Sequence, residues 1–303
     1  METKRITISG DKVAVLNNKT AEVPFNHTEF DGMVLLHLLT EETAPAYLDN
    51  QFKTRPQDVF LVSYSKSGSH WLAYIVNNIA KPVLPNKEDF VHRAGEVPLL
   101  EQSLPEKFAP IASPRYMYTH LPYQFVPRSS EHEVKYVVIA RNPRDIAVSQ
   151  FNFMKNMKDI DFHGTWDEFL SLFMRGTGLS GSYFDRVLEW WEHKDDDNVL
   201  FLKYEDLKKD LTGQIGTIAH FLGYQFSQED MEAIAEKCTF KTMKENRVGS
   251  IEGNKSLLKK GKSFYRKGII GDWRNHFSDE QLEKFNSWCN SHLEGTGLEF
   301  DFG

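Results

Sequence analysis

The sequence predicts an α/β fold: a single domain with a central parallel sheet flanked by helices. Three observations carry that prediction. Two nearly continuous apolar runs, DVFLVSY at 58–64 and VKYVVIA at 134–140, read as strands covered on both faces. Each gives way to a short loop and then a helical pattern, so the order strand, loop, helix occurs twice. A third run, NVLFLKY at 198–204, follows two further helical stretches. Strands that alternate with helices are the mark of a parallel sheet.

Residues 1–40 are weakly patterned. The first strand leads into the small-residue loop SKSGSH, after which Trp71, Leu72, Ile75, Val76 and Ile79 keep a helical period. The second leads into RNPRD and a helix from about Ile146. Helical patterns follow at 166–175, 181–194, 211–222, 228–237 and 279–292. Segments 85–115 and 244–264 are irregular, and loops of that length are either functional or disordered. Asp195, Asp196 and Asp197 read as a solvated turn. With no repeat, low-complexity block or break in composition, one domain is expected over 1–303.

Composition excludes several classes of function. Lys and Arg total 36 against 43 Asp and Glu, a net charge of −7, which argues against a general nucleic-acid binder. Two cysteines, Cys238 and Cys289, are too few for a disulfide framework or a cysteine-built zinc site. No metal-ligand spacing such as H-E-x-x-H or C-x-x-C occurs, so no metal is expected. METKRITISGDK lacks an apolar h-region and no apolar run is long enough to span a membrane, so a cytoplasmic protein without membrane contact is expected. The sequons at Asn18, Asn26 and Asn254 are then chance matches.

The loop Lys66-Ser67-Gly68-Ser69-His70 follows a strand and opens a helix. Backbone N–H groups of such a loop converge on an anion, and the helix N-terminus and Lys66 add positive potential. It is P-loop-like without being a Walker A, and an ordinary βα turn with a solvated lysine accounts for the same residues. Arg141-Asn142-Pro143-Arg144-Asp145 sits at the carboxyl end of the second strand, where α/β sheets bind ligands. Arg141 can fork two hydrogen bonds onto a phosphate, and Ser149 follows on the helix; Arg144 reads as a surface residue. Lys259, Lys260, Lys262, Arg266 and Lys267 form a basic cluster, followed by Gly268, Gly271, Asp272 and Trp273. A glycine-flanked basic loop suits close approach to an anion, while Lys259 and Lys260 read as solvated. In Thr119-His120-Leu121-Pro122 the histidine is a natural general base, although the chain has 11 histidines. Gly176 to Gly181 matches G-x-G-x-x-G but follows a helical pattern rather than a strand, and reads as a helix–helix turn.

Together these segments resemble the cytosolic sulfotransferase family, whose enzymes move a sulfuryl group from 3′-phosphoadenosine 5′-phosphosulfate (PAPS) to a hydroxyl or amine. SYSKSGSHW at 63–71 is similar to the family's Y-P-K-S-G-T-T-W loop. ARNPRDIAVS at 140–149 and FYRKGIIGDW at 264–273 are similar to its second and third signatures. GTWDEFLSLFMRG, EWWEH and LKYEDLKKD between them also resemble family segments, and the likeness runs over roughly 45–300. It implies roles residue by residue. Lys66, Ser67, Gly68, Ser69, His70 and Trp71 would hold the 5′-phosphosulfate, with Trp71 near the adenine. Arg141 and Ser149 would bind the 3′-phosphate, closed over by Arg266, Lys267 and Gly268 behind Phe264 and Tyr265. Tyr204, Cys238, Thr239, Phe240 and Met243 would line the adenine and ribose site. His120 would be the catalytic base and Lys66 would stabilise the leaving oxygen, yielding 3′-phosphoadenosine 5′-phosphate (PAP) without a metal. Tyr118, Thr119 and His120 would meet a small hydrophobic acceptor: a phenol, alcohol, steroid or thyroid hormone. The acceptor pocket would draw on loops 85–115 and 244–264, with Phe151, Phe153 and Met154 read as core.

The chain departs from the family pattern in four places. Ser65 replaces a proline and loosens the start of the loop; His70 replaces a threonine; Tyr118 replaces the lysine of K-T-H, which often helps stabilise the transition state. The family's dimer motif, K-x-x-x-T-V-x-x-x-E, appears as Arg274, Ser278, Asp279 and Glu283, so a homodimer stays an open expectation. Two other readings remain: an ATP-using small-molecule kinase with an atypical loop, and a homologue that binds nucleotide without turnover.

Overall fold

The computed structural model describes residues 4–8, 12–18, 23–35, 38–83, 97–246 and 257–303. Parts of 1–40, and the stretches 84–96 and 247–256 of the two long loops, with Asn254, lie outside the described residues.

The N-terminal segment, expected to be weakly patterned, forms an antiparallel meander of β1 (Lys4–Ile8), β2 (Lys12–Asn18), β3 (His27–Phe30) and β4 (Met33–Leu35), in that order. Asp31 and Gly32, at φ 52° and 76°, make the two-residue turn between β3 and β4. An Asp-Gly pair is a strong hairpin signal, and the short strands around it obscured the alternation. A short helix α1 (Ala44–Leu48) follows.

The second sheet holds the three expected strands and a fourth. After β5 (Val59–Ser63) come α2 (Ser69–Ala80), β6 (Tyr116–Thr119), β7 (Lys135–Ala140), α3 (Pro143–Asn156), α4 (Trp166–Met174), α5 (Tyr183–Glu192) and β8 (Val199–Lys203). Then follow α6 (Tyr204–Lys209), α7 (Leu211–Leu222), α8 (Gln228–Lys237), α9 (Phe240–Asn246) and α10 (Asp279–Leu293). The strands run parallel in the order β6-β5-β7-β8. Helix starts follow local chemistry. Asn142 caps α3 by accepting from the Asp145 N–H, with Pro143 in the first turn. Thr165 with Glu168, Ser227 with Asp230 and Ser278 with Gln281 form reciprocal capping boxes on α4, α8 and α10. Ser278 and Asp279, the altered dimer-motif positions, thus serve the start of α10. The turn at 176–181 joins α4 to α5, as expected.

Alternation along the strands splits the core into layers. Leu61, Tyr116, Tyr118, Val137 and Ile139 pack under α2, α7 and α8. Phe60, Val62, Met117, Tyr136 and Val138 face α1, Phe108, Phe125 and Trp190. A third cluster joins α3, α4, α5 and α10, and takes in Met154. At the amino ends of β5 and β6, Asp58 and Arg115 form a buried pair: Nε donates to Oδ1 at 2.7 Å and Nη2 to Oδ2 at 2.5 Å. The Arg55 N–H adds a third bond to Asp58 at 2.7 Å. Removing one partner of such a pair leaves a buried charge uncompensated. Asp58→Ala is expected to lower the unfolding free energy by about 3–5 kcal/mol in urea titration, and a loss below about 1 kcal/mol would contradict the burial argument.

Candidate active site

β5 and β7 pair from Val59 with Lys135 to Ser63 with Ile139. The chain leaves β5 for β6 on one side and β7 for β8 on the other, so a crevice opens between the loops that follow them. In the first loop Lys66 and Gly68 take φ of 73° and 115° and turn the chain into α2. A Cβ on Gly68 would lie 2.9 Å from Tyr204 Cδ2 and 3.3 Å from Ile139 Cδ1, so this position needs glycine for both conformation and space.

The crevice opens into a cavity of about 580 Å³. Its walls include Lys66, Gly68, Ser69, His70, Trp71, Tyr118, His120, Arg141, Ser149, Tyr204, Phe240, Met243, Phe264, Tyr265, Arg266, Lys267 and Gly268, brought together from six separate stretches. Four expected residues do not line it. Strand alternation turns Thr119 to the opposite face, where its hydroxyl donates to Glu101 Oε2 at 2.9 Å. Cys238 is buried behind the wall and offers its carbonyl to Trp71 Nε1 at 2.7 Å. Thr239 bonds Thr242 in the first turn of α9. Ser67 lies beneath the loop, its N–H on the Tyr64 carbonyl and its buried Oγ without a partner.

One end of the cavity is cationic. Lys66 Nζ lies 4.1 Å above the Phe153 ring and 4.4 Å above Phe264. Burial, then the charges of Arg141 and Arg266, push its ammonium down to about 7. Arg141 stacks 4.3 Å over Tyr204 and donates to the Ile269 carbonyl at 3.0 Å, while its buried Nε has no partner. Arg266 and Lys267 pair with Asp272, Lys267 at 2.6 Å. Burial opposes the charge of Asp272, but hydrogen bonds from Lys267, Arg266 and Asn275 hold its carboxyl well below the usual range. The basic loop is tied to the β7 loop by Asp145, which accepts from Gly271 N–H at 2.8 Å and Trp273 N–H at 3.1 Å. Gly268, at φ 65°, packs where a Cβ would meet the Phe240 ring at 2.5 Å. Arg144, read as a surface residue, is half-buried: it lies 4.5 Å over Trp273 and 3.9 Å over Phe302, and bonds Asn286. A cationic cavity with an unpartnered buried donor at Arg141 suits a polyanion.

The other end holds a histidine. His120 Nδ1 sits 2.8 Å from the Ser63 carbonyl, which can only accept, so Nδ1 carries the proton and Nε2 keeps its lone pair. Burial, opposed by that bond and reinforced by Lys66, pushes its imidazole down to about 4. Tyr118 stands between the rings of His120 and His70, at 5.8 and 5.4 Å, and His70 packs edge-on to Phe264 at 5.0 Å. Leu38, Leu99, Phe153, Met157 and Leu257 add apolar wall; Thr40, Gln102, Asn152, Asn156 and Asp159 add polar groups. Phe153 therefore faces the cavity, whereas Met154 is core and Phe151 packs against it. Glu101, missed in the sequence, accepts the His120 N–H at 2.7 Å. Its one trace there is a lone charge in the apolar run VPLLEQSLP. No group of three or more His, Cys, Asp or Glu able to hold a metal occurs among the described residues, and no helix among them is long and apolar enough to cross a membrane.

An α/β domain with a cationic crevice at the carboxyl ends of its strands and a neutral histidine facing it defines a group-transfer enzyme acting on a polyanionic donor. The chain belongs to the sulfotransferase family: the family model described as sulfotransferase domain matches residues 56–297. Sulfotransferase 6B1 of Mus musculus is 37% identical over 265 residues, 86% of this chain and 84% of that protein. The crystal structure of mouse sulfotransferase SULT7A1 complexed with PAP superposes with a TM-score of 0.74 at 31% identity, over 88% of this chain and 94% of that one. A retinol dehydratase in complex with androsterone and the inactive cofactor PAP matches at a TM-score of 0.71 and 26% identity, over 92% of each chain. The protein is an enzyme of sulfuryl transfer.

Two outcomes test this geometry. Gly68→Ala is expected to lower stability by about 1–3 kcal/mol, read by denaturant titration, because φ of 115° strains any side chain. His120 titrates near 6.5 when unfolded and near 4 when folded, so the unfolded chain binds more protons between those values. Its contribution is complete above about pH 6.5 and is lost as pH falls toward 4; His120→Gln should flatten that limb of a stability-against-pH curve.

Proposed function

We propose that the protein transfers the sulfuryl group of PAPS to the hydroxyl of a small hydrophobic acceptor, with His120 as the base. The observation that carries this reading is the Ser63 carbonyl on His120 Nδ1, which leaves Nε2 as a proton acceptor in the same cavity as Lys66. PAPS supplies a sulfuryl group on a phosphosulfate bridge and a second phosphate on the ribose. Lys66 and the loop amides meet the bridge, where charge develops as its S–O bond breaks. Arg141, Ser149, Arg266, Lys267 and Gly268 meet the 3′-phosphate, and Trp71, Tyr204, Phe240 and Met243 enclose the nucleoside. Arg141 Nε gains the partner that it lacks. The acceptor oxygen attacks in line, its proton passes to His120 Nε2, and PAP departs. Catalysis of this kind is positioning plus electrostatic stabilisation.

The apolar wall supports a phenol, alcohol, steroid or thyroid hormone as acceptor, bound through shape with one oxygen at the base. Both cysteines are free and buried, which supports a cytoplasmic setting. A kinase reading has less support, because the chain carries no Walker A motif.

PAP, without added metal, is expected to stabilise the folded protein by about 2.7 kcal/mol at 100 times its dissociation constant, a visible thermal shift, with far smaller shifts from ATP and 5′-AMP. A larger, magnesium-dependent shift with ATP would reopen the kinase reading. His120→Ala is expected to keep PAP binding and lose about 10²–10⁴ in turnover; near-normal turnover would sink the base assignment. Arg266→Ala should weaken PAP more than 5′-AMP in the same titration, and equal losses would argue against a 3′-phosphate contact.

A further inference from the structure

Glu101 lies on the segment that runs beside β6, where Leu99 bridges Tyr118 and the Pro98 carbonyl accepts the Tyr118 N–H at 3.0 Å. Its side chain is 1% exposed. One oxygen takes the Thr119 hydroxyl at 2.9 Å and the other the His120 N–H at 2.7 Å, so uncharged donors hold it rather than Lys or Arg. A buried carboxylate without a cation is unfavourable, and burial pushes this carboxyl up to about 7 despite its hydrogen bonds. The surroundings of His120 are otherwise cationic or neutral. Lys66 comes from the β5 loop, Arg186 of α5 lines the small pocket behind the ring, and Tyr118 lies on its own strand. On its far side Glu101 faces Tyr47 of α1, whose phenol is raised by burial and then by the charges of Glu101 and Glu106.

Proton abstraction creates an imidazolium in this setting. The acceptor's O–H bond breaks, its electron pair forms the new O–S bond, the S–O bond to the phosphate breaks, and the proton stays on His120 Nε2. A cation formed in this desolvated pocket is repelled by Lys66, whereas Arg186 has its own acidic neighbours in Glu189 and Asp185. We propose that Glu101 is a positioning residue for the transfer: its carboxylate is the counter-charge for the His120 imidazolium, held in place through the His120 N–H and the Thr119 hydroxyl. This rests on His120 being the base. Protonating Glu101 removes the counter-charge while leaving the fold and the donor site intact.

The test is kcat against pH at saturating PAPS and acceptor, for wild type, Glu101→Gln and Glu101→Asp, with PAP binding as the control for folding. With bound PAPS holding Lys66 charged, wild type should rise through an inflection near pH 7. Glu101→Gln should bind PAP within about twofold of wild type, lose about tenfold or more in kcat at alkaline pH, and lose the inflection. Glu101→Asp should keep the inflection at an intermediate rate. A Gln variant that turns over like wild type, or one that is slower yet keeps the inflection, overturns the proposal. Should Glu101→Gln fail to fold, Thr119→Val decides: it removes a donor to the carboxylate, so the inflection must move to higher pH, and an unmoved inflection overturns the proposal. His120→Ala in the same assay separates the two readings. Normal turnover there defeats the base assignment, whereas lost turnover beside an unaffected Glu101→Gln defeats only the role of Glu101.

Discussion

The parallel pairing of β5 with β7 is the constraint on which the site depends. Five residue pairs in register bring Ser63 and Ile139 level, so the loops after the two strands begin side by side. Because the connections then diverge to opposite edges of the sheet, neither helix closes the gap. Lys66 and Arg141, 75 residues apart in sequence, thus meet closely enough for Arg141 Nη1 to approach the Lys66 carbonyl at 3.5 Å. β6, on the other side of β5, carries His120 just beyond its end, and the Ser63 carbonyl at the tip of β5 orients the ring. One strand therefore starts the anion loop and sets the tautomer of the histidine.

The third basic stretch joins this frame through the backbone. Asp145, inside α3 and fully buried, accepts from Gly271 and Trp273, which fixes the loop bearing Arg266 and Lys267 to the β7 end of the crevice. Trp273 and Arg144 extend the tie to Phe302. Burying several cations together is unfavourable, and the depressed ammonium of Lys66 is its direct sign. An anion placed there offsets both the burial of the Lys66 ammonium and the repulsion from Arg141 and Arg266. Desolvation acts differently on the two groups: it makes the cationic residues receptive to an anion and keeps His120 neutral.

Much of this was legible in the sequence because it is local. The runs 58–64 and 134–140 are nearly continuous apolar stretches, as doubly covered strands are, and 198–204 is a similar run on the sheet edge. The loop residues Lys66 to Trp71 occur as a contiguous, recognisable segment. What escaped depends on contacts across the chain. Glu101 acquires its meaning only from the N–H and hydroxyl of residues 18 and 19 positions later. Arg144 reads as a surface residue until Trp273 and Phe302 are folded onto it. Thr119 sits between two cavity residues in sequence, yet the two-residue period of a strand sends it to the other face. The meander at 4–35 escaped because its strands, such as KRITI and HTEF, mix polar with apolar residues instead of forming an apolar run, although Asp31-Gly32 announced one of its turns.

The central claim is electrostatic: before any donor binds, the fold holds His120 neutral, protonated on Nδ1 and bare on Nε2. Nitrogen NMR of the ¹⁵N-labelled protein over pH 5–8, with His120→Gln used to assign the signals, reads this directly. The account predicts one pyrrole-like and one pyridine-like nitrogen for His120 throughout that range, with the pyrrole-like signal on Nδ1. Two pyrrole-like nitrogens near pH 6, the signature of an imidazolium, or a proton resident on Nε2, would contradict it.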